Sequence, residues 1–441
     1  MERRWCAPVR APDTRTLREH LWLWLRRALC ASFVAWIVSA PLVAHSFGIV
    51  AWGSTITAIV SAPLAGIILA LGYAGVIAEL AVPGSAHGAG DVLLMACEPL
   101  LLLVRAIDAV PMLHTTTPAL SAWWALCTTV VIAWWCGRGL GRTKIERSVV
   151  VLCLASVTVW AAFEWRASPI DSDTALRVDT LAVGDGSCFL VRSGNASMLV
   201  DCGSTWTGAG VRAIPDALRS LGVRRLDRVV ITHPDIDHYA CLIDTASRIP
   251  IDEVVLGEDF IAQARDRPDG PARALLEGLD RLGIPRSTVN AGDAWTIGDA
   301  RVDVLAPLPA VHGAKDNDRS LVVRTRVETA NNGQRTLLLT GDIEDGAVRA
   351  LRGAYPELRA DIVEAPHHGS NNEEAAAFVA SLRPEVVVQS TGPTRIDLPA
   401  WRAVRSASEW WCTALDGSVR VVIKTDGTIE GSSTSRASGR R

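Results

Sequence analysis

Residues 228–238 read Arg228-Val229-Val230-Ile231-Thr232-His233-Pro234-Asp235-Ile236-Asp237-His238. The apolar run ending at Thr232 predicts a buried strand. Tyr239-Ala240-Cys241-Leu242-Ile243, which follows, predicts the first turns of a helix. Two imidazoles and two carboxylates therefore share one strand-to-helix loop and can converge on a point. Neutral imidazole and carboxylate are the ligand types that hold Zn, Mn or Fe. A strand-end Asp alone more often forms a turn or caps a helix.

Four further stretches put polar groups at strand edges. Leu199-Val200-Asp201-Cys202-Gly203 places a carboxylate before a glycine turn, and Asn317-Asp318-Arg319-Ser320 precedes a strand. Leu339-Thr340-Gly341-Asp342 ends another strand, and Glu364-Ala365-Pro366-His367-His368-Gly369-Ser370 carries two histidines. The chain has 9 histidines, and four of them fall in these two short His-bearing loops. That concentration favours a metal site over a scatter of surface residues.

The 441 residues predict two or three domains. Residues 1–27 are basic, with Arg3, Arg4, Arg10, Arg15, Arg18, Arg26 and Arg27. Ala28 to Phe47 is long enough to span a bilayer, and its distance from the start argues for a retained span rather than a cleaved leader. Ile49 to Leu80 reads as a second span or a broken pair, interrupted at Ser61-Ala62-Pro63. Asp91 to Val110 carries Glu98, Arg105 and Asp108 and reads as an interfacial or re-entrant helix, or as the polar lining of a pathway. Leu120 to Cys136 spans with Trp pairs at its ends, and Ser148 to Phe163 is a short last span. With both basic segments, 1–27 and 137–147, in the cytoplasm, about five spans place residues from 167 onward on the non-cytoplasmic side.

Residues 167–441 carry 31 Lys and Arg against 38 Asp and Glu. That balance is no broad phosphate-gripping face, so a polyanionic substrate would need a bound cation. No CxxC pair occurs, which excludes a zinc ribbon or a thioredoxin-like motif. Cys188, Cys202, Cys241 and Cys412 would be open to disulfide formation in an oxidising compartment. The soluble part alternates short strands with helices, a sheet sandwich flanked by helices. The tail 431–441, rich in Ser, Gly and Arg, predicts disorder.

These residues resemble the metallo-β-lactamase fold family, whose motif HxHxDH follows a strand. Here it stands as His233-x-Asp235-x-Asp237-His238, with Asp201, Asp342 and His367-His368 as the outlying members. Ala182-Val183-Gly184-Asp185-Gly186-Ser187, Leu339-Thr340-Gly341-Asp342 and His367-His368-Gly369-Ser370 are similar to one branch, the C-terminal domain of ComEC-type DNA-uptake proteins. Ser39-Ala40-Pro41-Leu42 and Ser61-Ala62-Pro63-Leu64 resemble the end of that family's membrane domain. The resemblance implies an α-helical transmembrane bundle (28–166) followed by an α/β αββα sandwich (167–430). It also implies a chain truncated on its N-terminal side.

It further implies two divalent ions, Mn or Zn. His233 and Asp235 would hold one; Asp237, His238 and His367 or His368 the other; Asp342 would bridge. Asp201 and Asp318 would stand behind the ligands. Asp237, Asp342, His368 and Ser370 would carry the chemistry, hydrolysis of DNA phosphodiester bonds during uptake. DNA, membrane lipid and other competence proteins, or a chain supplying the missing channel half, are the implied partners. Asp235 replaces an imidazole of the motif, Tyr239-Ala240 its following glycines, and Leu398-Pro399 a later His-Pro. Two other readings fit the same residues: a membrane-anchored hydrolase of a small phosphoester, and a non-catalytic membrane scaffold with a degenerate metal site.

Overall fold

The computed structural model describes residues 16–82, 84, 86–108, 113–117, 120–138, 151, 155, 158–160, 162, 170–206, 208–311, 316–330 and 333–435. The chain divides into two compact units, Met1–Glu164 and Trp165–Arg441.

The first unit is helical. Helix α1 (Leu17–Phe47) begins where Thr16 and Glu19 form a reciprocal cap: the Glu19 N–H donates to the Thr16 hydroxyl oxygen, and the Thr16 N–H to the Glu19 carboxylate. It ends at Gly48, whose φ of 63° takes the left-handed conformation. Strands β1 (Ile49–Ala51) and β2 (His114–Thr116) pair antiparallel. Between them lie α2 (Ser54–Ala81) and α3 (Ala86–Asp108); α4 (Ala122–Arg138) follows. The stretch Ile49 to Leu80 is thus a short strand and one helix, which continues through Pro63. No residue of α2 is buried, so its apolar side chains face outward.

Leu17–Ser46 and Ser54–Ala81 are long and apolar enough to cross a membrane; Ala122–Cys136 is apolar but shorter. Among the described residues, then, two helices of that kind stand where about five spans were expected. Residues 1–15 of the basic segment, basic residues 139–147 and most of Ser148–Phe163 lie outside the described residues.

The second unit is a four-layer αββα sandwich. One sheet runs, in spatial order, β17 (Ile429–Ser433), β16 (Val419–Lys424), β3 (Thr174–Thr180), β4 (Phe189–Ser193), β5 (Ala196–Val200), β6 (Arg228–Ile231), β7 (Val254–Gly257) and β8 (Arg286–Val289). The other runs β15 (Glu409–Cys412), β14 (Val386–Gln389), β13 (Ile362–Glu364), β12 (Gly333–Leu339), β11 (Val322–Thr329), β10 (Ala300–Ala306) and β9 (Ala294–Ile297). Pairing is parallel from β5 to β8 and from β12 to β15. The tail read as disordered from Gly431 contributes Gly431–Ser433 to an edge strand, because β16 offers it a ladder; residues 436–441 lie outside the described residues.

Side chains alternate between two cores, as a strand's two-residue period requires. Val230, Val255, Leu337, Leu339, Ile362 and Val386 fill the space between the sheets. Val229, Ile231, Val254 and Leu256 turn the other way, onto helices that include Pro271–Leu282. Leu338, Val363 and Val387 pack against helices that include Asp345–Ala354 and Glu373–Leu382. Strands buried on both faces read as unbroken apolar runs. Cys188, Cys202, Cys241 and Cys412 are buried and unbridged. The first three sit in the helix-facing core as small apolar side chains, and burial pushes the Cys241 thiol up to about 12.

Candidate metal centre

The candidate site gathers at the carboxyl ends of parallel strands, where loops from both sheets meet. Asp201 follows β5, His233 follows β6, Asp342 follows β12, His367 and His368 follow β13, and Ser390 follows β14. Three left-handed non-glycine residues mark the place: Asp201 (φ 59°), His367 (φ 49°) and His368 (φ 55°). Such conformations cost about 1–3 kcal/mol each and persist where the surroundings impose them. Two glycines permit the close approach. A Cβ on Gly203 would lie 1.9 Å from the Asp237 carbonyl oxygen, and one on Gly341 3.1 Å from the Thr232 side chain.

Asp201 is the anchor. Its carboxylate accepts the Thr232 N–H at 2.8 Å and the Thr232 hydroxyl at 2.9 Å. It also lies 2.7 Å from His238 Nδ1. The Thr232 oxygen, having donated its proton to Asp201, is placed to accept His233 Nδ1–H at 3.0 Å. His368 Nδ1 is 3.0 Å from the Ser390 carbonyl. All three Nδ1 atoms therefore have partners, and all three rings turn Nε2 the same way. Fixing one ring nitrogen to orient the other is how metal-ligating histidines are held.

His238 Nε2 lies 3.1 Å from Asp342 Oδ1. His368 Nε2 lies 3.3 Å from Asp237 Oδ2 and 3.5 Å from Asp342 Oδ2. Two overlapping groups have ligand atoms within 4.8 Å of one another: His233, His238 and Asp342; and Asp237, His238 and His368. The Nε2 atoms of His233, His238 and His368, with Asp342 Oδ1, are buried without a hydrogen-bond partner. Such atoms are costly unless something else coordinates them. Three unpaired imidazole nitrogens facing a carboxylate oxygen fit a divalent transition metal.

The electrostatics agree. Burial would raise the Asp342 carboxyl, but the His238 and His368 charges hold it well below the usual range. Burial would likewise raise Asp237, yet His368 and His238 bring it down to about 2. Burial works against charge on His238, and Asp342 and Asp201 outweigh it. The pocket favours a cation, here protons, where metal would bind.

The remaining expected residues sit differently. Asp235 is 44% exposed at its side chain, with its carboxylate 3.5 Å from His233 Nε2, and stands outside both groups. His367 Nε2 is 3.7 Å from Asp342 Oδ2, and its Nδ1 is 3.2 Å from Glu344 Oε1, so it flanks the cluster. Burial depresses its pKa. Asp318 accepts the N–H groups of Glu344 (3.1 Å) and Ala347 (2.9 Å), and so caps the helix after Asp342 instead of backing a histidine. The Ser370 N–H donates to the His367 carbonyl at 2.9 Å, and its own carbonyl accepts Trp401 Nε1–H at 2.7 Å. His312 lies outside the described residues.

Sequence reading gave no role to Thr232, Ser390 or Glu364. Glu364 is buried and accepts the N–H groups of Thr340 (2.8 Å) and Gly341 (3.0 Å), which fixes the turn carrying Asp342. A hydroxyl directly before a strand-end His was the available signal for Thr232; a backbone carbonyl such as that of Ser390 leaves none.

Comparison with known proteins bears on both units. The metallo-beta-lactamase superfamily model matches residues 181–392, and the competence protein model matches residues 7–139. ComE operon protein 3 of Bacillus subtilis is 26% identical over 230 residues, 49% of this chain and 28% of that protein. Competence protein ComA of Neisseria gonorrhoeae is 28% identical over 257 residues, 58% of this chain and 31% of that protein. Recombination protein 2 of Haemophilus influenzae is 25% identical, covering 56% and 28%. Among solved structures, the metallo-beta-lactamase fold protein YhfI of Bacillus subtilis is similar at 14% identity and a TM-score of 0.35, covering 58% of this chain and 99% of that one.

The second unit is thus a metallo-β-lactamase-fold domain. With a competence-protein segment before it, the chain is similar in both units to the ComEC family of competence proteins. It spans about 30% of the length of these curated relatives.

Proposed function

We propose that the chain is a membrane-held, metal-dependent phosphodiesterase that cuts DNA during uptake. The observation that carries this is the set of buried, unpaired Nε2 atoms of His233, His238 and His368 around Asp342. The competence relatives supply the DNA context, and the two long apolar helices support a place in the cell membrane. Charge pattern supports the second unit lying on the non-cytoplasmic side.

His233, His238 and Asp342 would hold one ion, and Asp237 and His368 frame the place for a second; His238, with Nδ1 given to Asp201, has one ring nitrogen left and can serve only one of the two. When bound, divalent ions supply Lewis-acid stabilisation of the charge that builds on a phosphodiester and lower the pKa of water. Asp201 and Thr232 keep the imidazoles aimed. Asp237 and Asp342, held as carboxylates, provide negative charge for the ions. His367 stands at the edge of the cluster, its Nε2 3.7 Å from Asp342 Oδ2, placed to hydrogen-bond a leaving oxygen.

The full chain in detergent, supplied with Mn²⁺ or Zn²⁺, is expected to cleave single-stranded DNA. Asp342→Ala and His238→Ala should lower the rate by at least about 10²-fold. Cleavage of a small phosphodiester with DNA left intact would replace the DNA reading by the small-substrate one. Equal rates for the parent and both variants would remove the hydrolase reading.

A further inference from the structure

Two side chains on loops that lead from the cluster have no part in the hydrolytic reading. Trp206 is 57% exposed, on the loop that leaves Asp201. That loop is firmly held. Gly203 N–H donates to the Ser187 carbonyl at 3.1 Å, Thr205 N–H to the Asp185 carbonyl at 2.8 Å, and Trp206 N–H to the Ser204 hydroxyl oxygen at 2.9 Å. The Ser204 hydroxyl donates to the Val183 carbonyl at 2.6 Å. Gly203 is pressed against the Asp237 backbone, so the Trp206 Cα stands at most about 10 Å of chain from the metal loop.

Arg395 approaches from the other sheet, on the loop after β14. Its guanidinium donates to the His367 carbonyl at 3.2 Å. It is half-buried, and among the described residues no carboxylate pairs with it. Gly392, three residues earlier, donates its N–H to Asp185 Oδ1 at 3.0 Å. Asp185 therefore fastens both loops, one through its carbonyl and one through its carboxylate. An exposed indole and a guanidinium with no carboxylate partner among the described residues thus stand on two loops that Asp185 ties together. The unit's overall negative charge makes such a local cation the more useful to a polyanion.

We propose that Trp206 and Arg395 form a subsite for single-stranded polynucleotide, Trp206 stacking a base and Arg395 holding a phosphate beside the one to be cut. Stacking on an exposed aromatic tolerates any base, and a guanidinium fork suits phosphate oxygens. The inference rests on the phosphodiesterase reading for its polymer, but strand binding is measurable without cleavage.

The test is fluorescence anisotropy of a labelled, cleavage-resistant phosphorothioate thymidylate oligomer with the full chain in detergent, supplied with Mn²⁺ or Zn²⁺. Trp206→Ala should weaken binding by about tenfold, and Trp206→Phe should restore most of it. An abasic oligomer should lose little with Trp206→Ala. Arg395→Ala should weaken both oligomers alike and reduce the salt slope by about one. Thymidine monophosphate should compete only at far higher concentration. The proposal is overturned if the unaltered chain binds no oligomer, or if Trp206→Ala binds thymidylate as tightly as the parent. It is also overturned if abasic and thymidylate oligomers lose equally, or if the monophosphate competes as well as the oligomer. A chain that binds strands through Trp206 yet cuts no unmodified strand removes the hydrolase reading and leaves this subsite in place.

Discussion

Asp201 aims two imidazoles, His238 directly and His233 through the Thr232 hydroxyl. Replacing Thr232 by Val keeps the shape but strands the His233 Nδ1–H in the interior. Leaving a buried donor unpaired costs about 1–3 kcal/mol. Loss of such a support typically weakens metal binding by about 10–100-fold. Thr232→Val should therefore show both effects, in a chemical-denaturation curve and in a Mn²⁺ or Zn²⁺ titration; a change in neither would separate Thr232 from the site. Glu364 gives a pH-dependent counterpart. Burial, with Asp201 and Asp342 nearby, pushes its carboxyl up to about 8. An unfolded glutamate titrates near about 4.3. The folded state therefore holds the proton more tightly, and stability is lost as pH rises between those values. In chelated protein, Glu364→Gln should gain little over the parent below pH ~5 and be the more stable near pH ~8, as thermal unfolding at the two pH values would show. The candidate ligands were legible because they cluster in the loops that leave strand ends, Asp342 and His368 beside a glycine and Asp237 beside His238. Asp318 looked the same in sequence, and only its bonds to Glu344 and Ala347 reveal a helix cap.

The strands that carry the ligands were readable as apolar runs because both their faces are buried. Arg228–Ile231 and Val386–Gln389 are such strands, buried along nearly their whole length. The strands Arg286–Val289 and Ala294–Ile297 carry no such run, since each buries a single residue and lies at a sheet edge. Glu409–Cys412 and Ile429–Ser433 are likewise edge strands, formed because a neighbour offers hydrogen bonds. Leu338 shows what the interior strands contribute: it is fully buried toward the helix layer, one residue before Leu339. Leu338→Ala should lower the unfolding free energy of this unit by about 2–5 kcal/mol. A loss under ~1 kcal/mol by denaturant titration would mean the layer is looser than described. Gly203→Ala acts on the site itself. Its Cβ would meet the Asp237 carbonyl, so the metal loop must shift, at a typical cost of about 1–3 kcal/mol with loss of metal affinity.

For the chain as a whole, the division into an apolar helical unit and a charged sandwich was plain from composition, because lipid-facing helices and water-facing loops draw on different residues. The number of spans was not plain. Pro41, Pro63 and Pro99 all lie inside helices, and a proline that breaks a soluble helix is tolerated in a membrane one. The outward apolar surface of α2 needs lipid or detergent. The chain should accordingly sediment with membranes, resist extraction by high salt and be released by detergent; release by salt alone would contradict a membrane-spanning α2.

Everything proposed for the second unit depends on the cluster binding metal. Elemental mass spectrometry of the full chain, purified in detergent and passed free of loose ions, measures this directly. Roughly one to two equivalents of a divalent transition metal per chain are expected. His233→Ala with His238→Ala should reduce this to background while the sandwich stays folded by circular dichroism. A parent chain that retains no metal, and takes up none from Mn²⁺ or Zn²⁺ solutions, would contradict the account.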